Sequence, residues 1–388
     1  MKERFRLWYE RLFGTEQQTI EPGVYQYTSP QDQPNPYRLH LRIDREGRGT
    51  LILNASTVLH LNQTAAEYAY HLVRQDPVEE VAKAVSSRYN VSEEQARGDY
   101  TTLMEQIQTL IETPDLEPVT FLGFDRSEPY TDILQAPYRI DCALTYKTSG
   151  ENQAAAPVDR VRREMTTGEW KSILKKVWDA GVPQVIFTGG EPTLRPDLPE
   201  LIRYAEELGQ VTGLLSNGDR LTDPQYMHDV LYSGLDHIML TLDPDNEISW
   251  EALKDLLAED IFVTVHLTLT PRLVKDFSFQ MDRLKTLGVT HVSLSASSAE
   301  LKPALLAARE QVAAHDLNLV WDLPVPYSDM NPVSVELEST EEAPVGAGKA
   351  WLYVEPDGDV LPGQGINRPL GNLLEEDWDA IWSRAHSG

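Results

Sequence analysis

The hydrophobic pattern changes its period along the chain, and the changes mark out segments. "YRLHLRID" alternates apolar and polar residues, as a half-buried strand does, and "TLILNAS" and "TVLHLN" follow as short strands joined by a turn-like "NAS". The period then lengthens to that of helices. "QTAAEYAYHLV" carries small and apolar residues on one face, and "PVEEVAKAVSSRY" opens on Pro77 and acidic residues, a favourable helix start. "SEEQARGDYTTLMEQIQTLIE" opens with Ser92 in a capping position. Three strands followed by three helices predict a winged-helix-like α+β domain over residues 17–114. Residues 115–137 are rich in proline and acid without a sustained period, and read as a linker.

From 138 to 326 the pattern alternates. Strand-like "YRIDCALTY", "QVIFTGG", "VTGLLSNG", "HIMLTLD", "FVTVHLTLT", "HVSLSAS" and "LNLVWDLP" are separated by amphipathic stretches such as "GEWKSILKKVWDAG", "PDLPELIRYAEELG" and "SFQMDRLKTLG". Strands spaced by helices of roughly ten to fifteen residues predict an α/β parallel sheet, as a barrel, a partial barrel or a doubly wound sheet. In all three, ligands bind at the C-terminal ends of the strands. Residues 327–388 hold two strands around "PDGD" and a final helix.

Charge and cysteine content narrow the chemistry. The formal net charge of −27, with no long run of Lys and Arg, argues against nucleic acid as a partner. No run of eighteen apolar residues exists to span a membrane. Phe5, Trp8, Tyr9 and Leu12 fall at helical spacing in residues 1–16, a face that can dock on the protein's own body or on a membrane surface. The one cysteine, Cys142, excludes an internal disulfide and any metal site built on several thiolates of this chain. The expected location is the cytoplasm.

The stretch with most chemistry is "TGGEP", Thr188 to Pro192, between a strand and a helix. Gly189 and Gly190 let a ligand approach the backbone closely. Glu191 offers a carboxylate to a cation or an amine, and Pro192 stiffens the turn. A tight strand-to-helix turn with no ligand fits these five residues as well. Asn217, in "SNG", and Thr241, in "LTLD", fall at the ends of the next two strands, and Asp243 and His266 also point toward strand ends. Asn217 suits a left-handed turn equally, and a lone His on an apolar strand reads first as a satisfied core residue.

Together, "LTYK", "FTGGEPTLRPDL", "LLSNGDRLTD" and "LDHIMLTLDP" resemble the radical S-adenosylmethionine (radical SAM) superfamily. "GDVLPGQG" and "LGNLLEEDWDAIW" resemble the start of its SPASM extension. The resemblance implies a partial (β/α)6 barrel with a truncated SPASM-like C-terminal hairpin and helix. It assigns SAM binding to Gly189, Gly190, Glu191, Pro192, Asn217 and Thr241. It also implies a 4Fe-4S cluster held by C-x3-C-x2-C directly after "LTYK". In this chain those three positions are Thr148, Asn152 and Ala155, and the SPASM-like cysteine positions are Val345 and Gly363. Thr and Asn are poor ligands for cluster iron, and Ala offers no ligand atom. Cys142 lies six residues before Thr148, inside a strand, and reads as a buried small side chain. Glu151 is the loop's only carboxylate, with Asp159 just beyond. No cluster is therefore expected, and SAM is expected at most weakly.

The N-terminal domain resembles the peptide-recognition element of ribosomal peptide maturation, the fold of the PqqD chaperone. The resemblance rests on "TLILNASTVLHLNQTAAEYAYHLV" and "EEVAKAVSSRYNVSEEQARGDYTTLMEQI". It implies that a leader-like peptide adds as a strand to the edge Thr57, Val58, Leu59, His60 and Leu61, facing Leu103 and Ile107. Packing on the barrel alone is the competing role of this domain.

Three functions fit. The first is a cluster-free pseudoenzyme that binds a peptide or a paralogous radical SAM enzyme, in ribosomal peptide modification. The second is a non-radical enzyme or sensor using the strand-end pocket, with Glu191, Asp243 and His266 as its polar groups. The third is a radical peptide-modifying enzyme whose cysteines were removed.

Overall fold

Alternating strands and amphipathic helices sort the chain into two compact units, Met1–Pro129 and Tyr130–Gly388. The computed structural model describes residues 20–30, 33–54, 57–89, 91–113, 134–148, 161, 163–320 and 346–386. The expected helix over 1–16 with Phe5, Trp8, Tyr9 and Leu12 lies outside the described residues, as do 115–133 of the expected linker.

The first unit holds four strands, not the three expected. They are β1 (Gly23–Thr28), β2 (Arg38–Ile43), β3 (Gly49–Leu53) and β4 (Thr57–Leu61). They form an antiparallel meander in the order β1-β2-β3-β4. The added strand, "GVYQYT", has no fully buried position, so burial leaves only a faint mark on its sequence. It is held by pairing and by Tyr25, whose ring meets Tyr70 edge-on at 4.9 Å. Helices α1 (Gln63–Val73), α2 (Val78–Arg88) and α3 (Glu93–Glu112) follow. Asn62 caps α1 by accepting the Ala65 N–H, and Ser92 caps α3 by accepting the Gln95 N–H. Leu39, Leu41, Leu51, Leu59 and Leu61 of the sheet share one core with Ala69, Val81, Tyr100 and Ile107 of the helices.

The second unit is a sheet in the order β11-β10-β9-β8-β7-β6-β5-β12-β13-β14. Its strands are β5 (Arg139–Thr145), β6 (Gln184–Gly189), β7 (Val211–Ser216), β8 (His237–Thr241), β9 (Phe262–Leu269), β10 (His291–Ala296), β11 (Asn318–Leu319), β12 (Trp351–Val354), β13 (Asp359–Leu361) and β14 (Gly371–Asn372). All pairings from β11 through β5 to β12 are parallel. Helices α4 (Thr167–Asp179), α5 (Leu198–Leu208), α6 (Pro224–Leu231), α7 (Glu247–Leu256), α8 (Leu273–Leu287) and α9 (Lys302–Ala314) alternate with the strands, and α10 (Trp378–His386) closes the chain.

Each strand divides its residues between two faces. On β9, Val263, Val265, Leu267 and Leu269 join the large apolar core that also takes in helix residues such as Trp170, Leu201 and Phe277. The alternate positions Thr264, His266 and Thr268 are buried and polar. The last residues of "LNLVWDLP" fall outside the described residues, and β11 is short.

The C-terminal hairpin pairs with the strands of the second unit. Strand β12 lies beside β5 in parallel, Trp351 opposite Arg139 and Val354 opposite Cys142, so the extension continues the sheet. That pairing joins residues more than two hundred positions apart, and local periodicity carries no trace of it.

A buried ion network links the helices of the first unit. Glu67 of α1 is 1% exposed and accepts from Arg88 Nη1 at 2.7 Å. His71 lies between Glu67 and Asp76, its Nδ1 2.8 Å from the Asp76 carboxylate. Burial pulls the His71 pKa down, but attraction to Glu67 and Asp76 outweighs it, and the net shift is upward from 6.5. The His71 contribution to stability is therefore complete below its ordinary pKa and lost as pH rises through the raised one. Asp76 is shifted the other way, so its contribution stays constant over that range. Hydrogen exchange of the α1 amides should speed up between pH 6 and pH 8 beyond the intrinsic base catalysis, and His71→Gln should abolish the excess.

Candidate functional site

The site is built where β5 and β6 end. After Thr145 the chain continues through Tyr146, Lys147 and Thr148; Glu151, Asn152, Ala155 and Asp159, which follow, lie outside the described residues, and residues 145–148 form the stem of the loop after β5. The stem of that loop is clamped by the "TGGEP" turn. The Gly190 N–H donates to Thr145 O at 2.7 Å, and the Glu191 N–H donates to Lys147 O at 2.7 Å. The approach is close enough to require both glycines. A Cβ on Gly189 would sit 2.1 Å from Thr145 O, and Gly189 has φ +134° besides. A Cβ on Gly190 would sit 2.2 Å from Lys147 O. The adjacent glycines thus have a structural duty toward the loop stem that needs no ligand.

Other contacts hold the stem from its remaining sides. Tyr146 Oη donates to the fully buried Glu355 at 2.6 Å, tying the stem to the C-terminal extension. Thr145 Oγ1 donates to Glu164 at 2.5 Å. Arg195 donates to the carbonyls of Leu144 and Met165 while its guanidinium pairs with Asp197. Thr145, Tyr146, Glu164, Arg195 and Glu355 were not singled out from sequence as site residues, although Thr145 and Tyr146 lie in "LTYK" and Arg195 in "FTGGEPTLRPDL".

Glu191 is 2% exposed, and its carboxylate is turned inward. Oε1 accepts from Thr193 N–H at 3.0 Å, Thr193 Oγ1 at 2.5 Å and Ser216 Oγ at 2.9 Å. Oε2 accepts the Asn217 N–H at 2.9 Å. Burial raises the Glu191 pKa, and hydrogen bonds led by Thr193 oppose the rise. With about four acceptor positions on a carboxylate, Oε1 is saturated and Oε2 keeps capacity for one more donor, such as an amine. Pro192 opens the one-turn 3-10 helix Pro192–Leu194 that Glu191 caps.

The strand ends bring Glu191, Ser216, Asn217 and Thr241 together. Asn217 Oδ1 accepts the Asp219 N–H at 3.0 Å, the turn role weighed for it above. Thr241 Oγ1 donates to Ser216 O at 3.3 Å. His266 stands opposite Thr241 in register. Its ring nitrogens face Ser293 Oγ at 3.1 Å and Ser295 Oγ at 3.0 Å, a satisfied buried histidine. Asp243 is not drawn into this group through its carboxylate, which accepts the Asp245 N–H in its own loop.

Cys142 is fully buried in the apolar core under the helices, and burial pushes its thiol pKa well up. A neutral, core-facing thiol is no metal ligand. Thr148 is half-buried. In the extension, Val345 lies outside the described residues. A Cβ on Gly363 would meet Ala347, Ile366 and Trp351 at 3.4 Å each, so that position is lined by apolar and indole groups. Glu355, Asp357 and Asp359 bring carboxylates within 4.8 Å of one another, but Glu355 is bonded to Tyr146 and Asp359 to Asn372.

In the first unit, β4 is an edge strand: Thr57, Val58, Leu59, His60 and Leu61 pair with β3 on one side. Leu59 and Leu61 are buried, Val58 half-buried and His60 exposed. Ile107 is buried in the same core, and Leu103 packs against it half-buried.

Comparison with known proteins places this geometry. The profile of the radical SAM superfamily matches residues 142–262, and that of coenzyme PQQ synthesis protein D (PqqD) matches residues 49–110. A PqqA peptide cyclase of Streptomyces rochei is 30% identical over 268 residues, covering 60% of this chain and 71% of the relative. The chain belongs to the radical SAM superfamily. A PqqA peptide cyclase of Xanthomonas euvesicatoria pv. vesicatoria (strain 85-10) is 27% identical over 290 residues, 67% of this chain and 75% of that one. Among solved structures, Streptococcus suis SuiB bound to S-adenosylmethionine matches with TM-score 0.55 at 15% identity, over 92% of this chain and 88% of SuiB. SuiB bound to its precursor peptide SuiA matches with TM-score 0.56 at 16% identity, over 94% and 88%. At that identity the likeness establishes the fold, a radical SAM-type α/β unit preceded by a PqqD-like one.

For a radical SAM protein, the donor set is the anomaly. Thr148, Asn152 and Ala155 supply no thiolate, and Cys142 faces away into the core. The residues present do not fit a 4Fe-4S cluster. Among the described residues, no helix is long and apolar enough to cross a membrane.

The clamp on the loop stem makes a prediction. Gly190→Ala should destabilise the ligand-free protein by about 1–3 kcal/mol, because the Lys147 carbonyl must shift. Differential scanning calorimetry without SAM checks this. A glycine kept only for a ligand would leave the ligand-free melting temperature unchanged.

Proposed function

We propose that this chain is a cluster-free radical SAM-fold pseudoenzyme that recognises a leader-like peptide in ribosomal peptide modification. The observation that carries the reading is a contrast between the two units. The loop that should hold the cluster has no sulfur ligand, while β4 keeps the features of a peptide-accepting edge. Edge strands that must not pair are usually blocked by Lys, Pro or a bulge. "TVLHL" has neither residue, and its pairing with β3 runs without a register shift.

The named relatives support the peptide half of this reading. The curated relatives are PqqA peptide cyclases, and SuiB has been solved with a precursor peptide. In β-augmentation the backbone of β4 supplies hydrogen bonds to an added strand, and side chains such as the half-buried Val58 and Leu103 supply choice, while Ile107, buried in the core, supports Leu103 from behind. The radical SAM-type unit then acts as a scaffold whose loop stem is held by protein contacts, and a paralogous, cysteine-bearing enzyme would perform the chemistry on the bound peptide.

SAM would meet a weakened site. The fold supplies Gly189, Gly190, Glu191, Pro192, Asn217 and Thr241, but the iron that anchors the ligand's amine and carboxylate in the family has no ligands here. Calorimetric titration with SAM should give no binding, or binding at least about tenfold weaker than in a cluster-bearing relative.

Peptide recognition is tested by hydrogen exchange with the precursor peptide encoded nearest this gene. The amides of Thr57–Leu61 should gain protection, and those of Gly23–Thr28, on the opposite edge, should not. Protection confined to the barrel strands would move the peptide site away from the PqqD-like unit.

A further inference from the structure

The sheet of the first unit has two faces, and α1, α2 and α3 account for one of them. Leu39, Leu41, Leu51 and Leu59 belong to the core shared with those helices. The alternate residues form the second face. The register lines up Gln26, His40, Ile52 and Val58 in one row across the four strands, and Val24, Arg42, Thr50 and His60 in the next. The centre of this face is closed to solvent: His40 and Arg42 are each 4% exposed and Ile52 is 1% exposed. Its margins are open, with Gln26 on β1 and His60 on β4 exposed. Among the described residues Ile52 joins none of the apolar clusters, so the helical core is not its cover. His40 and Arg42 are both engaged.

The width of the buried strip says what kind of element lies on it. Strands are about 4.8 Å apart and a helix with its side chains is about 10 Å wide, so one helix laid along the strands shields two of them. Burial centred on β2 and β3 has that width. The cover must also suit a guanidinium, an imidazole and an isoleucine at once. Aromatic rings and a carboxylate do so, because a buried cation needs acceptors or the face of a ring.

One amphipathic stretch of this unit remains without a place, and it carries those groups. Phe5, Trp8, Tyr9 and Leu12 fall in one row at helical spacing, and Glu16, four residues after Leu12, continues the row as its carboxylate. Arg4, Arg6 and Arg11 fall off the row. The stretch leads into the sheet at β1, which begins at Gly23. A helix over residues 1–16 would be about 24 Å long, enough to run the length of the six-residue β2.

We propose that residues 1–16 dock as an amphipathic helix along β2 and β3, on the sheet face opposite α1, α2 and α3. Phe5, Trp8, Tyr9 and Leu12 cover Ile52, the aromatic rings of the row lie over Arg42, and Glu16 supplies the counter-charge. The row is then used on the protein's own sheet rather than on a lipid surface. The open margin at His60 leaves the outer edge of β4 uncovered.

The test is carbene footprinting of the full chain, comparing the natural sequence with a row variant (Phe5→Glu, Trp8→Glu, Leu12→Glu) and an off-row variant (Glu3→Gln, Glu10→Gln). Labelling at Ile52 should rise about threefold or more in the row variant and stay unchanged in the off-row variant, with α1, α2 and α3 labelled alike in all three. Unchanged labelling of Ile52 in the row variant would overturn the proposal, since some other part of the chain would then cover the face. A second measurement stands apart from any loss of folding in that variant. Benzoylphenylalanine in place of Tyr9, irradiated in the full chain with and without phosphatidylglycerol vesicles, should crosslink to β2 or β3. Crosslinks to lipid, to a second copy or to the second unit in place of β2 and β3, or no crosslink to these two strands, would overturn it.

Discussion

The second unit depends on two backbone hydrogen bonds, from Gly190 to Thr145 O and from Glu191 to Lys147 O. They fasten the turn after β6 to the stem of the loop after β5. Both require glycine, because a Cβ at either position would press within 2.2 Å of a carbonyl oxygen. Once the turn is set, Glu191 is buried, and a buried carboxylate needs donors. Thr193, Ser216 and Asn217 supply them, and so the ends of β6 and β7 are bound to the same point. Tyr146 carries the linkage on to Glu355 and the C-terminal strands.

This clamp holds the stem of the loop after β5 with groups that the protein itself supplies. Where iron is present it too would hold the loop, but here the stem is fixed by carbonyls, a tyrosine and an arginine that belong to the protein. On the proposed reading, such a scaffold does without cluster cysteines, and the PqqD-like unit needs none. Its edge strand needs only backbone groups and a few apolar side chains to bind an extended segment, and none of these depends on a cofactor.

Much of this was legible in sequence. The alternation in "FVTVHLTLT" gives both a strand and its two faces, and "TGGEP" marks the turn on which the site is built. Ser92 marks the start of α3. What escaped had physical reasons. Strand β1 buries little, so "GVYQYT" shows no strong period. Pairing of β12 with β5 is a long-range event without a local signature. The glycines fitted room for a ligand and a tight ligand-free turn equally well, because sequence does not reveal that the nearest neighbour of Gly190 is the Lys147 carbonyl. Glu191 was read as able to hold a cation or an amine, and the four donors that occupy its carboxylate come from Thr193, Ser216 and Asn217. That no cysteine stands at Thr148, Asn152 or Ala155 needed no structure, since these are visible as letters.

The most direct measurement of the central claim is iron and acid-labile sulfide per chain after anaerobic reconstitution, read together with the Mössbauer spectrum. The account predicts no bound iron above the level of a control protein without metal ligands, and no 4Fe-4S quadrupole doublet. About four irons and four sulfides per chain with that doublet would contradict it, and would mean that the cluster is held by ligands other than cysteine.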